Sequence, residues 1–174
     1  MTDLVRDFPV PEAPALHPGV TIALASPCAR FSLRARSPEG YPGSVLASAA
    51  FGGGNALCLG PDEWLLLLPE DATPPEIAGL HALTDIGHRN IGLTVEGPQA
   101  VALLLTGCAL DLDRAFPTAK VTRTLYEGVE IILWRTGETR FHIEVWRSFA
   151  AHLWAALDLA AGDLAAFGFP VPEE

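Results

Sequence analysis

Glycine clusters, paired acids, cysteines and histidines are the residues of this sequence whose spacing could carry chemistry. Gly52-Gly53-Gly54 offers part of the G-x-G-x-x-G turn that cradles a pyrophosphate, but the third glycine position is Leu57 and no strand long enough to feed such a turn precedes it. The triplet reads as a turn. Gly87 to Thr94, GHRNIGLT, nearly spells the phosphate loop G-x-x-x-x-G-K-[ST], with Leu93 standing where the lysine ammonium is required. Asp111 and Asp113 form a D-x-D that could hold Mg²⁺, although acids placed just after Gly107 also serve as loop polarity and caps.

The five histidines, His17, His81, His88, His142 and His152, form no close metal-ligand pair, and Cys28, Cys58 and Cys108 include no C-x-x-C. His88, beside Arg89 and shortly after Asp85, reads as a hydrogen-bonded structural residue. Ser44, Ser148 and Cys108 lack a G-x-S-x-G elbow or an identifiable His and acid, and Cys108 reads as a small buried residue. The residues therefore assign no catalytic, cofactor-binding or metal site to the chain.

Composition points to association instead. Eleven Lys and Arg against 21 Asp and Glu leave a net charge of -10, which repels phosphate backbones and anionic lipid and argues against nucleic acid or a membrane surface as partner. Lys120 is the single lysine, so the remaining cations are arginines suited to bidentate pairing and aromatic stacking. Hydrophobic residues make up 49% and charged residues only 18% of 174, and this apolar excess predicts surface that is hidden only in an assembly. Three widely spaced cysteines read as reduced thiols in a cytoplasmic protein, and the N-terminal segment, with Asp3, Arg6 and Asp7, lacks the apolar core of a signal peptide.

The elements that would position these residues follow from periodicity. Pro9, Pro11, Pro14 and Pro18 predict an extended N-terminal arm over 1–19, followed by one compact unit over 20–169 and a tail over 170–174. Val20 to Ala25 and Ala29 to Arg36 read as strands able to pair as a hairpin. Ser37 to Asn55 reads as irregular; Ala56 to Leu59 and Trp64 to Leu68 as buried strands; Pro74 to Leu83 as a short helix. Asp85 to Val95 then predicts a strand, Pro98 to Gly107 an apolar helix, and Val121 to Tyr126, Val129 to Arg135 and Thr139 to Trp146 an antiparallel meander. A closing helix carries Phe149, Leu153, Ala156, Leu157 and Ala160, with Ser148 as its cap and Gly162 as its stop. The order gives an α+β fold of two interleaved ferredoxin-like halves, about 20–83 and 84–169, with antiparallel sheets and packed helices.

Five segments in series carry a resemblance: LGPDEWLLL at Leu59 to Leu67, GPQA at Gly97 to Ala100, LLTGCALDL at Leu104 to Leu112, RAFP at Arg114 to Pro117, and RSFAAHLW at Arg147 to Trp154. Together they resemble the gamma subunit of heterotetrameric sarcosine oxidase. That resemblance implies a structural subunit held by alpha, beta and delta partners, chiefly alpha, in a cytoplasmic complex that demethylates sarcosine to glycine, releases hydrogen peroxide and passes the one-carbon unit to tetrahydrofolate. It further implies that FAD, FMN, NAD, the folate site and zinc belong to the other subunits. The strand, GPQA and helix stretch also resembles the aminomethyltransferase-like fold, which keeps a free-standing folate-binding or one-carbon-transfer protein as the alternative, with Arg89, Arg123 and Arg140 as its local anion site.

For an interface subunit the anchors would be aromatic residues and arginines. Trp134, Arg135, Trp146 and Arg147, at strand ends, are the candidate partner contacts, whereas Trp64 and Trp154, inside apolar runs, are expected in the chain's own core.

Overall fold

Alternation of apolar and polar side chains along each strand decides which face it buries, and here it builds two stacked sheets. The computed structural model describes residues 8–36 and 41–167. β1 (Ala15–His17) and β2 (Val20–Leu24) join β8 (Asn90–Glu96), β11 (Arg140–Trp146), β10 (Val129–Gly137) and β9 (Val121–Tyr126) in a six-stranded sheet of order β1-β2-β8-β11-β10-β9. β3 (Ala29–Ala35), β4 (Ser48–Phe51), β5 (Gly54–Gly60), β6 (Glu63–Leu68) and β7 (His81–Asp85) form a second sheet, ordered β4-β5-β6-β3-β7. Every strand pair is antiparallel.

Helices α1 (Ala100–Leu105) and α2 (Arg147–Phe167) both cover the six-stranded sheet. Ile91, Leu93 and Val95 of β8 and Phe141, Ile143 and Val145 of β11 face them, meeting Leu103, Leu104, Leu153 and Leu157 in the main core. The opposite face of that sheet lies on the second sheet, where Leu57, Leu65 and Leu67 pack against Val121, Ile132 and Trp134. The far side of the second sheet buries Phe31, Leu33, Trp64 and Leu66 beneath Tyr41, Phe51 and Ile77. Trp64 and Trp154 are thus core residues, at 3% and 7% exposure.

A seam ties the sheets at one edge. Ala47 and Lys120 form an isolated antiparallel bridge, the Ser48 amide donates to the Ala119 carbonyl, and the Val121 amide donates to Leu46. Gly52 and Gly53, with φ of 56° and 77°, make the two-residue turn that joins β4 to β5, a conformation that favours glycine at both positions. The triplet is therefore turn chemistry, as its failed fingerprint implied.

The α+β class, the β5–β6 hairpin, the strand preceding α1 and the meander β9–β10–β11 match the sequence reading. Several other expectations are corrected. β2 and β3 do not pair; they enter different sheets, so β3–β7 form a module inserted between β2 and β8, and the division at about 83/84 gives way to a nested arrangement. The segment 74–80 is not helical: Gly79 turns at φ 79°, and His81–Asp85 pairs with the open edge of β3. β4 lies within the span read as irregular, because its partner β5 supplies the ladder that its local sequence does not announce.

The predicted arm over 1–19 holds β1, and Val10 and Phe8 pack on the chain's own main core; residues 1–7, Ser37 to Gly40 and the tail over 170–174 lie outside the described residues. α2 begins directly at Arg147, whose amide donates to the Arg89 carbonyl at 2.7 Å, so Ser148 sits inside the first turn. The helix also passes through Gly162. A glycine costs a helix only about 1 kcal/mol relative to alanine, and Ala161 and Leu164 on either side are packed against the core. Among the described residues no helix is long and apolar enough to cross a membrane.

Candidate functional site

The layer between the sheets holds the chain's buried charge. Arg30 of β3 and Glu144 of β11 are only 6% and 1% exposed. Arg30 donates from Nε to Glu144 Oε2 at 2.8 Å and from Nη1 to the Cys28 carbonyl at 3.2 Å, while His142 Nε2 lies 2.8 Å from Glu144 Oε1. Both carboxylate oxygens are occupied. Burial, the largest single influence on Glu144, pushes its pKa up, but hydrogen bonding and charge from His142 and Arg30 outweigh it and hold the group below the usual carboxylate value. Gly92 makes room for this pair: a Cβ there would stand 2.7 Å from Arg30 Nη2 and 3.0 Å from Glu144 Oε1.

Beside the pair a polar cleft of about 320 Å³ opens, lined by Ser32, Arg34, Glu63, Arg89, Asn90, Arg123, Glu130, Glu144 and Trp146. Its charges are largely neutralised from within. Arg123 grips Glu63 with Nη2 at 2.6 Å and Nη1 at 3.3 Å, and Arg34 reaches Glu63 at 3.2 Å and Asp62 at 2.9 Å. The hydrogen bond from Arg123 is the first cause of the lowered Glu63 pKa. Arg89 stacks 4.4 Å from the ring of Trp146, which in turn lies 6.5 Å from Phe149.

A second depression, about 610 Å³, runs along the outer side of α2. Ala156, Leu159, Ala160, Leu164 and Phe167 make its apolar wall, and Thr106, Tyr126 and Glu127 face them from the end of α1 and the β9–β10 turn. Leu159 and Phe167 are 68% and 78% exposed.

No protein-family model matches the chain. It is 33% identical over 129 residues to a sarcosine oxidase subunit gamma of Corynebacterium sp. (strain U-96), and 32% identical over 121 residues to that of strain P-1. These matches cover 70% and 65% of this chain, and 63% and 60% of the relatives. A chain of the solved heterotetrameric sarcosine oxidase from Corynebacterium sp. U-96, in complex with pyrrole 2-carboxylate, superposes with a TM-score of 0.72 at 26% identity, over 84% of this chain and 85% of that one. The chain is similar to sarcosine oxidase gamma subunits in both sequence and fold. It spans less than two thirds of the length of the gamma relatives it matches. An aminomethyltransferase of Shouchella clausii is also similar, 33% identical over 90 residues, which are 50% of this chain and 24% of that enzyme.

Against that gamma-type background, the four candidate partner contacts separate. Trp134 is half-buried, donates to Ser48 Oγ at 2.9 Å and lies edge-on to His142 at 5.9 Å, so it fastens the two sheets. Arg135 donates to the carbonyls of Leu112 at 2.9 Å and Phe116 at 2.8 Å, and also to Glu138, so it fastens the 111–117 loop to β10. Trp146 keeps 43% exposure at the cleft mouth, and Arg147 opens α2 nearby.

The remaining candidates are dispersed. Cys108 is buried with its thiol 3.7 Å from Thr124 Oγ1. Asp111 accepts the Arg114 amide at 3.0 Å, the capping role its position implied, while Asp113 is exposed on the same loop. His88 is exposed. Arg89 and Arg123 share the polar cleft, whereas Arg140 pairs with Glu96 at 2.9 Å and is not among the cleft residues.

Sequence reasoning missed Arg30, Gly92 and Glu144. One signal was present: in FHIEVW a single acid interrupts an apolar strand, and in NIGLTV a glycine does the same. Both fall on the face that alternation marks as polar, which reads as solvent-facing until a second sheet covers it.

Proposed function

We propose that this chain serves as the gamma-type subunit of a cytoplasmic heterotetrameric sarcosine oxidase, contributing fold and contacts to an assembly with alpha, beta and delta partners, chiefly alpha. In that assembly sarcosine is oxidatively demethylated to glycine with hydrogen peroxide release and one-carbon transfer to tetrahydrofolate, and FAD, FMN, NAD, folate and zinc are held by the other subunits. The observation that carries the reading is the fold match to a chain of the heterotetrameric enzyme over most of both chains. The internal economy of the polar cleft supports it, because Arg34, Arg123 and Glu63 neutralise one another instead of standing ready for a charged substrate.

Co-expression with the other three subunits tests this proposal. The expected outcome is co-elution with them on size exclusion, together with sarcosine-dependent peroxide formation in the assembled fraction and none from the isolated chain. Elution of this chain always apart from the others overturns it.

A second reading, folate binding by the isolated chain, is favoured by the similarity to an aminomethyltransferase and by the meeting of Arg89 and Arg123 in one cleft. Calorimetric titration with tetrahydrofolate decides between them. Micromolar binding that is lost in Arg123→Ala supports the second reading.

A further inference from the structure

α2 presents two faces. Ala150, Leu153, Trp154, Leu157 and Ala161 are buried against the six-stranded sheet. On another side Phe149, Ala156, Ala160 and Phe167 fall within a narrow stripe, since Phe149 and Phe167 are separated by five full turns at 3.6 residues each, about 27 Å along the axis. Phe149 is 48% and Phe167 78% exposed, and Leu159 borders the stripe at 68%. Small residues at Ala156 and Ala160 lower the floor between these larger side chains, which is what gives the surface its groove.

Charge around the groove has one sign. Glu127 stands on one wall and Asp163 on the other, and among the described residues neither lysine nor arginine lines it, His152 being the one basic side chain there. A second copy of this chain laid across the groove by two-fold symmetry would bring acids toward acids, on molecules that each carry -10. A partner with an apolar stripe flanked by Lys or Arg would instead meet complementary charge, in the mode by which amphipathic helices enter apolar grooves.

We infer that the outer groove of α2, from Leu159 to Phe167 with the Glu127 and Asp163 rims, docks a cationic amphipathic segment of a partner subunit. The inference rests on the gamma-type reading above and deepens it by naming the surface and the chemistry of its occupant.

The test uses the full chain co-expressed with the other oxidase subunits. Leu159→Ser/Phe167→Ser removes the exposed anchors, Glu127→Lys/Asp163→Lys reverses the rims, and Leu80→Ser, at a residue 97% exposed on the second-sheet side, is the control. All the replaced side chains are exposed, and circular dichroism of each isolated variant verifies its fold. The expected result is at least tenfold weaker association for both double variants, an unchanged control, and wild-type affinity that falls with rising salt. Wild-type association retained by both double variants overturns the docking site while leaving the gamma role standing. A wild-type chain that fails to associate at all removes the gamma reading itself. A wild-type self-dimer abolished by Leu159→Ser/Phe167→Ser makes the occupant a second copy and likewise overturns the proposal.

Discussion

Arg30 and Glu144 lie 114 residues apart and meet at 2.8 Å between the two sheets, one on each. Opposite charges brought together this deep are held in register by desolvation as much as by attraction: neither can leave its partner without remaining buried and unsatisfied. The pair is therefore one of the ties, with the Ala47–Lys120 bridge and the Trp134–Ser48 hydrogen bond, that seat the inserted β3–β7 module on the helix-backed sheet.

Removing one member should expose that dependence. Glu144→Gln leaves the Arg30 guanidinium buried without a counter-charge, a situation that costs about 3–5 kcal/mol. At about 2–4 °C of Tm per kcal/mol for a chain of this size, the expected drop is on the order of 10 °C by differential scanning calorimetry. Replacing both, as Arg30→Met with Glu144→Leu, should recover a large part of the loss; a double variant as unstable as the single one would mean that the charge was not the issue.

Acid should act through the same group. Because the folded-state pKa of Glu144 is lowered, its contribution is complete above the unfolded carboxylate value, roughly 4.3, and is lost as pH falls through the lower folded value. Glu63, lowered chiefly by the hydrogen bond from Arg123, has the same sign. Wild-type stability is expected to fall below about pH 4 by urea titration, and the gap between wild type and Glu144→Gln should narrow there. A gap that stays constant down to pH 2 would contradict the assignment.

Gly92→Ala tests the fit around the pair. The added methyl would stand 2.7 Å from Arg30 Nη2 and 3.0 Å from the Ala25 Cβ, and the guanidinium cannot swing away without giving up Glu144. Loss of roughly 2 kcal/mol or more is expected, in the range of overpacking and a strained buried hydrogen bond. In a double-mutant cycle with Arg30→Met the two effects should be strongly non-additive.

How much of this was legible beforehand divides along a physical line. Local signals were readable: Glu127-Gly128 closes a tight turn, Leu103 and Leu104 bury one face of α1, and Trp64 and Trp154 are interior. Long-range pairing was not, because nothing near Val20 or Ala29 records that β2 will pair with β8 and β3 with β6 and β7. The same gap hid the buried pair. Arg30 and Glu144 stand on the polar faces of their strands, and only the stacking of one sheet on another turns those faces inward. Trp134 and Arg135 illustrate the converse: residue type alone marks them as contact anchors, while their donors are spent on Ser48, Leu112 and Phe116.

That expenditure makes Arg135 and Trp146 separable by experiment. Arg135 holds the carbonyls of Leu112 and Phe116 with one nitrogen, and charge-assisted hydrogen bonds of this sort contribute about 1.5–3 kcal/mol each. Arg135→Ala should therefore lower global stability by about 2–3 kcal/mol, and hydrogen exchange should quicken in 111–119 first. Arg135→Lys would rescue only part, since an ammonium cannot reproduce the planar fork that reaches several carbonyls at once. Trp146, by contrast, is 43% exposed and rests on Arg89 and Phe149 at the surface. Trp146→Ala should cost less than the Arg135 variant, on the order of 1 kcal/mol from lost stacking and area, and leave exchange in 111–119 unchanged. Equal exchange profiles for the two variants would show that Arg135 does not secure that loop.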